Sequence, residues 1–159
     1  MTRHATALAL AAAAFLARAA DAPACHGTIS GAVKGGFTCL AAIVPGDSGQ
    51  RFFVITPKDV VEGVPTYQPG SFELPQPVAA GTYTLDNLGM GLASVAAESG
   101  TLYTAAKTST RRGEVTLTIR SAKEDPSRAG AFTVHGTYRA RLVPAGAGKT
   151  GEVVVEVSF

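Results

Sequence analysis

The sequence predicts an all-β fold, an antiparallel β-sandwich or flattened β-barrel of about eight or nine strands, placed after an N-terminal signal peptide. Short β-prone runs are separated by turn residues along the chain, which has 18 glycines and 9 prolines. The last third alternates strictly between apolar and polar residues, as in a half-buried antiparallel sheet. No convincing amphipathic helical pattern interrupts these strands.

The first residues have the layout of a secretory signal peptide. A short polar start precedes an almost wholly apolar run over residues 5–17, and Ala17-Arg18-Ala19 supplies the small residues that a signal peptidase requires. Cleavage is expected after Ala19, or alternatively after Ala24. A spanning helix needs about 20 apolar residues, and the apolar run over residues 5–17 is shorter than that. We therefore expect no transmembrane segment after cleavage and a periplasmic or extracellular location.

Length and charge limit the classes of function. Roughly 140 residues remain after cleavage, which is enough for one domain over residues 20–159. Cleavage removes two of the 14 basic residues and none of the 12 acidic ones, so twelve of each remain. The formal charge of +2 thus comes from the targeting segment. A mature chain without excess charge argues against nucleic-acid binding, which needs a concentrated basic surface.

The two cysteines, Cys25 and Cys39, predict a disulfide, because an exported chain folds in an oxidising compartment. Closing a loop of about 15 residues should stabilise the fold by roughly 3 kcal/mol. A first turn at Lys34-Gly35 would set Cys39 opposite Ser30, so the disulfide would tie the N-terminal tail to strand two or a neighbour. Lipid attachment at Cys25 is the alternative, although Ala22 stands where a lipoprotein signal has a large aliphatic residue.

Strand positions follow from the alternation and the turns. Val95 should face Tyr103 across a hairpin, and Arg139 should face Glu156 in the last strand pair. Strict alternation gives each strand of the last third one buried and one wet face. Strands are predicted over residues 28–33, 37–44, 51–56, 82–85, 92–97, 101–107, 114–122, 131–143 and 152–159.

Residues 57–80 interrupt the regular succession of strands and turns, because they contain five prolines. Proline cannot donate a hydrogen bond to a central strand, so this segment is expected to be a long Pro-rich loop. Its apolar residues predict that it lies ordered across the sheet. Tyr67 and Phe72 should pack against the sheet, or alternatively form a lid that grips a ligand.

One outward row of side chains is a candidate binding face. His135, Arg139 and Arg141 are predicted on the wet face of their strand, in one row with Thr133 and Thr137. Such a row is either a solvated sheet face or a shallow cationic strip that binds an acidic glycan or an envelope protein.

Motifs for catalysis and cofactors are incomplete. Gly46-Asp47-Ser48-Gly49 matches a protease nucleophile loop, but no histidine stands in the sequence context that supplies its base. Gly146 to Thr150 resembles the end of a phosphate loop, but a strand follows it where a helix is required. His26 and His135 are the only histidines after cleavage, too few for a copper–zinc site, and His135 lacks the nearby cysteine that a blue-copper site requires. We expect no cofactor, no metal and no catalytic residues.

Four strand-like segments of the C-terminal half occur in a familiar order, at residues 81–85, 113–119, 134–138 and 151–159. In these segments the chain resembles uncharacterised exported β-domains and envelope lipoproteins of bacteria. The resemblance implies a β-sandwich or barrel in the bacterial envelope and assigns no catalytic residues.

The expected function is a non-catalytic binding or structural module. A small hydrolase or lyase using His135 with a surface carboxylate is the first alternative, and a barrel carrying a small apolar ligand is the second.

Overall fold

The computed structural model describes residues 24–159, which form ten antiparallel β-strands. The predicted signal peptide, with its cleavage after Ala19, lies outside these residues. The strands are β1 (Cys25–Gly31), β2 (Gly35–Pro45), β3 (Arg51–Pro57), β4 (Thr66–Glu73), β5 (Gly81–Thr84), β6 (Gly91–Ala96), β7 (Leu102–Ala105), β8 (Glu114–Glu124), β9 (Phe132–Pro144) and β10 (Val153–Ser158).

Eight of these strands close into a barrel, in the order β10-β1-β2-β3-β4-β6-β7-β9, with β9 pairing back onto β10. The other two, β8 and β5, extend the sheet from β9. β7 and β8 share one edge of β9, since Thr104 pairs with Val143 while Glu114 pairs with Arg141. The predicted all-β antiparallel fold is confirmed, and its architecture is a closed barrel with a two-stranded extension.

The apolar residues of the alternating pattern that predicted the strands also fill the barrel with their side chains. Phe53, Phe72 and Tyr138 are almost fully buried, and the ring of Phe53 lies 6.1 Å from Tyr138 and 5.2 Å from Phe159. Both predicted registers are confirmed, because Val95 pairs with Tyr103 and Arg139 pairs with Glu156. Aromatic and branched side chains from every side of the barrel therefore meet in one core.

The prediction of a Pro-rich loop over residues 57–80 is wrong for the middle of that segment. β4 lies within that segment and is a central barrel strand, paired with β3 on one edge and β6 on the other. Its register shifts between Gln68 and Ser71, and this irregularity contains Pro69 and Gly70. A proline is tolerated in a central strand where a bulge removes its position from the hydrogen-bond ladder. Only residues 58–65 and 74–80 connect strands.

The predicted disulfide is confirmed, but its expected register is wrong. Cys25 and Cys39 are directly opposed in β1 and β2, with Cα atoms 4.9 Å apart. The first turn is centred on Ala32 rather than on Lys34-Gly35, and Gly31 enters it with φ of 101°. The bond occupies the Cys25 sulfur that lipid attachment would require. It indicates an oxidising, exported compartment.

Candidate functional site

The predicted cationic strip lies on a sheet surface that we call the charged face, the outward side chains of β8, β9 and β10. Thr133, His135, Thr137 and Arg139 are exposed there, and Arg141 is half-buried. Alternate residues of β9 fill the barrel, so these five project outward in one row. The structure therefore places the predicted residues together.

Both arginines of the strip are paired with carboxylates of neighbouring strands. Arg139 Nε lies 3.2 Å from a carboxylate oxygen of Glu156. Arg141 donates to Glu114 at 2.7 Å and to Glu152 at 3.3 Å. These bonds raise the pKa of Arg141, with the largest contribution from the bond that it donates to Glu114. The same bond lowers the pKa of Glu114. The strip is thus largely neutralised within the sheet.

His135 stands in this row opposite Ser121 of β8. Among residues 24–159, its side chain makes no hydrogen bond or ion pair with any carboxylate. A hydrolase or lyase would need such a carboxylate to orient the imidazole as a general base. The charged face does not bring these two groups together.

The other predicted pair, Tyr67 and Phe72, does not form a binding loop. Phe72 is fully buried inside the barrel. Tyr67 is half-buried, with its ring 5.3 Å from Phe37 and its hydroxyl donating to the Asp59 carbonyl. The Asp59 carboxylate accepts from the hydroxyl and the backbone N–H of Thr38, both at 2.6 Å, and these bonds lower its pKa. The connection over 58–65 is therefore fastened to the barrel end.

One buried side-chain oxygen in the described part of the barrel has no hydrogen-bond partner. The Tyr138 hydroxyl has no hydrogen-bond partner among the described residues, and burial raises its pKa. It abuts the irregular part of β4, since a Cβ on Gly70 would lie 2.8 Å from it. The rings of Phe53 and Phe72 surround Tyr138 at 6.1 and 6.5 Å. A small apolar ligand in this barrel would have to displace these rings.

A second surface, which we call the uncharged face, is formed by the outward side chains of β2, β3, β4, β6 and β7. Ala42, Val54, Ser71 and Leu92 are directly opposed in one row across four of these strands. Leu92 is 37% exposed. Four apolar or small side chains in register leave this part of the surface without a charge.

Further apolar residues lie in neighbouring rows. Val44 is directly opposed to Phe52, and Ala96 is directly opposed to Leu102. Leu102 is 44% exposed, and Met90, directly before β6, is 75% exposed. The row Gln68, Ser94 and Thr104 is polar, so the face is uncharged rather than continuously apolar.

Charged residues are confined to the margins of these five strands, which contain only Arg51 and Glu73. Arg51 begins β3, and its guanidinium donates to the carbonyls of Gly49 and Gln50. Glu73 ends β4, opposite Phe52. The middle of the uncharged face therefore has no charged group, and its polar side chains, such as Ser71 and Ser94, are neutral.

Sequence reasoning missed this surface, although the sequence carries its signal. Residues 40–44 and 52–55 are continuously apolar instead of alternating. A continuous apolar run is the pattern of a strand that is covered on both faces. The barrel covers only one face of β2 and β3.

Basic residues of the β7–β8 connection hold neighbouring loops in place. Arg112 pairs with Asp86 at 2.8 Å, and Lys107 donates to two backbone carbonyls of the β5–β6 connection. Arg111 donates to the backbone carbonyl of Lys149 at 3.2 Å. These cations fasten three loops to each other rather than extend the strip.

Within residues 24–159, no cluster of three histidine, cysteine or acidic side chains is arranged to hold a metal ion. The same residues include no helix with the length and apolar character to cross a membrane. Comparisons with protein-family models, with curated proteins and with solved structures gave no match to this chain. Function therefore has to be argued from the geometry of the chain itself.

Proposed function

We propose that this chain is an exported, non-catalytic binding module of the bacterial periplasm or cell surface, and that it binds protein through the uncharged face. One observation carries the proposal. The row Ala42, Val54, Ser71 and Leu92 crosses four strands in register with apolar or small side chains and without a charge. Burying apolar area stabilises a complex by about 25 cal/mol per Å², and no charge has to be desolvated at its centre.

The other surfaces of the molecule support this choice. The charged face pairs two of its three arginines internally, Arg139 with Glu156 and Arg141 with Glu114 and Glu152. The interior is occupied by aromatic rings such as Phe53 and Phe72, which a ligand inside the barrel would have to displace. The Cys25–Cys39 disulfide is the kind of crosslink that persists in the envelope rather than in the cytoplasm.

Photo-crosslinking in cells that export the protein tests the proposal. A photoreactive phenylalanine analogue would replace Leu92 on the uncharged face, and in a matched variant it would replace Thr28. Thr28 is exposed on β1, opposite Glu156 of the charged face. We expect discrete protein adducts from position 92 and none from position 28. Val54→Lys should abolish the adducts, since it places a charge in the same row.

Three outcomes would contradict the proposal. Adducts from position 28 alone would move the binding site to the charged side. An absence of adducts from both positions would remove the protein-binding function. Turnover in a broad hydrolase panel that is lost in His135→Ala would favour the alternative of a small secreted hydrolase or lyase.

A further inference from the structure

We propose that the end of the charged face beside the irregularity of β8 binds a phosphate group carried on a polysaccharide of the bacterial envelope. We call this surface the bulge site. It lies on β8 and β9, outside the five strands of the uncharged face, and would give the molecule a second binding site. Its members are Arg120, Ser121, Lys123, Thr133 and His135.

The bulge in β8 brings two side chains to one position of the neighbouring strand. The register of β8 against β9 shifts between Ile119 and Ser121, so Arg120 and Ser121 together oppose His135. Arg120 and Ser121 are exposed, whereas Ile119 is buried. Bulges re-aim side chains and are frequent next to functional sites. Here the bulge adds a guanidinium to the outer surface where a regular strand has only one side chain.

A second cation lies one row further along the same two strands. Lys123 is paired with Thr133, and both are exposed. Directly opposed side chains have Cβ atoms about 5 Å apart, and every second residue of a strand is about 7 Å further on. The long side chains of Arg120 and Lys123 can therefore reach one small anion, with Ser121 between them.

No carboxylate neutralises these cations in the part of the chain that the structure describes. Arg120, Lys123 and His135 make no ion pair there. The carboxylate of Glu124 accepts a hydrogen bond from the backbone N–H of Gly130 at 3.0 Å. Because successive strand residues point to opposite faces, Glu124 faces away from Lys123. The bulge site thus keeps the positive charge that the rest of the charged face loses to internal pairs.

The donors of the bulge site suit a phosphate group. A guanidinium donates two parallel N–H bonds to phosphate, and an ammonium adds a point charge. The hydroxyls of Ser121 and Thr133 and an imidazole N–H of His135 donate without carrying a charge. A phosphate has three oxygens that accept these bonds, whereas a carboxylate has two.

The surface beside the bulge site favours a sugar chain as the carrier of this phosphate. Thr118, Thr137 and Ser158 are directly opposed in the adjacent row across β8, β9 and β10. Their hydroxyls donate and accept, as sugar hydroxyls do. This row has no aromatic or large apolar side chain of the kind that anchors a protein partner. The disulfide indicates the exported compartment in which such a polysaccharide is met.

Titration of the mature, disulfide-bonded protein with inorganic phosphate, followed by amide NMR shifts, tests the anion site. We expect saturable shifts at Ser121 and Thr133 with a dissociation constant of about 1–10 mM, because exposed charges bind weakly. Arg120→Gln and Lys123→Gln should each weaken binding about three-fold or more. Both positions are exposed, and circular dichroism should show that the variants are folded.

Arg139→Gln is the matched control. It removes the same charge from the same face, but Arg139 is paired with Glu156. Arg139 also stands roughly 14 Å from His135 along β9, beyond the Debye length at physiological salt. This variant should bind phosphate within about two-fold of the parent.

Phosphorylated dextran tests the carrier. It should bind about 10-fold more tightly than inorganic phosphate, because the hydroxyl row adds contacts and the polymer presents many phosphates. Thr137→Val should reduce this gain and leave the affinity for inorganic phosphate unchanged, since it removes one hydroxyl of the row. Unphosphorylated dextran and a phosphoserine peptide should show no such gain.

Three outcomes would overturn the inference. An absence of saturable shifts at about 100 mM phosphate would remove the anion site. Equal losses from Arg120→Gln and Arg139→Gln would reduce it to a general effect of charge. A phosphoserine peptide that binds more tightly than phosphorylated dextran would exclude the polysaccharide as carrier. Crosslinking from Leu92 reports separately on the proposed function, because Leu92 lies three strands beyond Ala42, the residue that borders Thr133.

Discussion

The two outer faces of this barrel cover one interior and yet have opposite compositions. The strands β8, β9 and β10 carry seven charged residues, whereas the five strands of the uncharged face carry two. Inward positions are equally apolar on both sides, so the core does not explain the difference. Apolar residues that concentrate on one outer face, rather than scatter over both, are typical of an interaction surface.

The disulfide lies where the two halves meet, since β1 adjoins the charged face through β10 while β2 continues into the uncharged face. Replacing Cys25 and Cys39 together by serine should cost about 3 kcal/mol of the free energy of unfolding, because the bond closes a loop of about 15 residues. Guanidinium denaturation of the mature protein measures this loss. It is the largest effect expected here.

Reduction of the parent protein should reproduce the loss seen in the double serine variant. A loss within about 0.5 kcal/mol of zero would mean that the β1–β2 hydrogen bonds alone hold the halves in register. That result would mean that the β1–β2 junction does not depend on the disulfide, and that each half is more independent than the closed barrel implies.

Tyr138 connects the halves inside the barrel, because it projects from β9 towards Gly70 in β4. Its buried hydroxyl has no partner, so Tyr138→Phe should raise the free energy of unfolding by about 1 kcal/mol. Tyr83→Phe is the matched control. The Tyr83 hydroxyl donates to the Ala79 carbonyl at 2.6 Å, and losing that bond should cost about 1 kcal/mol. A loss from both substitutions would show that an ordered water satisfies Tyr138.

The charged half was predictable from the sequence because its strands obey one rule. One face is buried and one is wet, so a period of two fixes both orientation and register. The pairing of Arg139 with Glu156 followed from that alternation alone. The disulfide was predictable as a pair of cysteines, but its register depended on the turn at Gly31, which the glycines at 35 and 36 obscured.

The same reasoning from alternation failed for the uncharged half, and the causes are physical. Pro69 has no N–H to donate, which argues against a central strand until the bulge after Gln68 is known. Phe72 therefore seemed to belong to a loop, although it is fully buried in the core. The runs 40–44 and 52–55 predicted strands correctly, but only the register across four strands reveals that their outward residues form one surface.

Acid should affect the two faces differently. Glu114 has a lowered pKa in the folded protein because Arg141 donates to it. A carboxyl of this kind stabilises the fold above its ordinary pKa near 4.5, and that stability is lost as the pH falls through the lowered value. The uncharged face offers no corresponding ion pair, so acidification should leave its contribution to stability in place.

Melting temperatures of Glu114→Gln and of the parent, measured from pH 7 to pH 2, test this expectation. The parent should melt higher at neutral pH, and the gap should close below the ordinary pKa as both forms of position 114 become neutral. The effect should be the smallest of the three, because the carboxylate is exposed and water screens the pair. Glu98→Gln, at the exposed tip of the β6–β7 hairpin, provides the control and should show no pH-dependent gap. A gap of constant size for Glu114→Gln would mean that packing, rather than charge, stabilises this corner of the charged face.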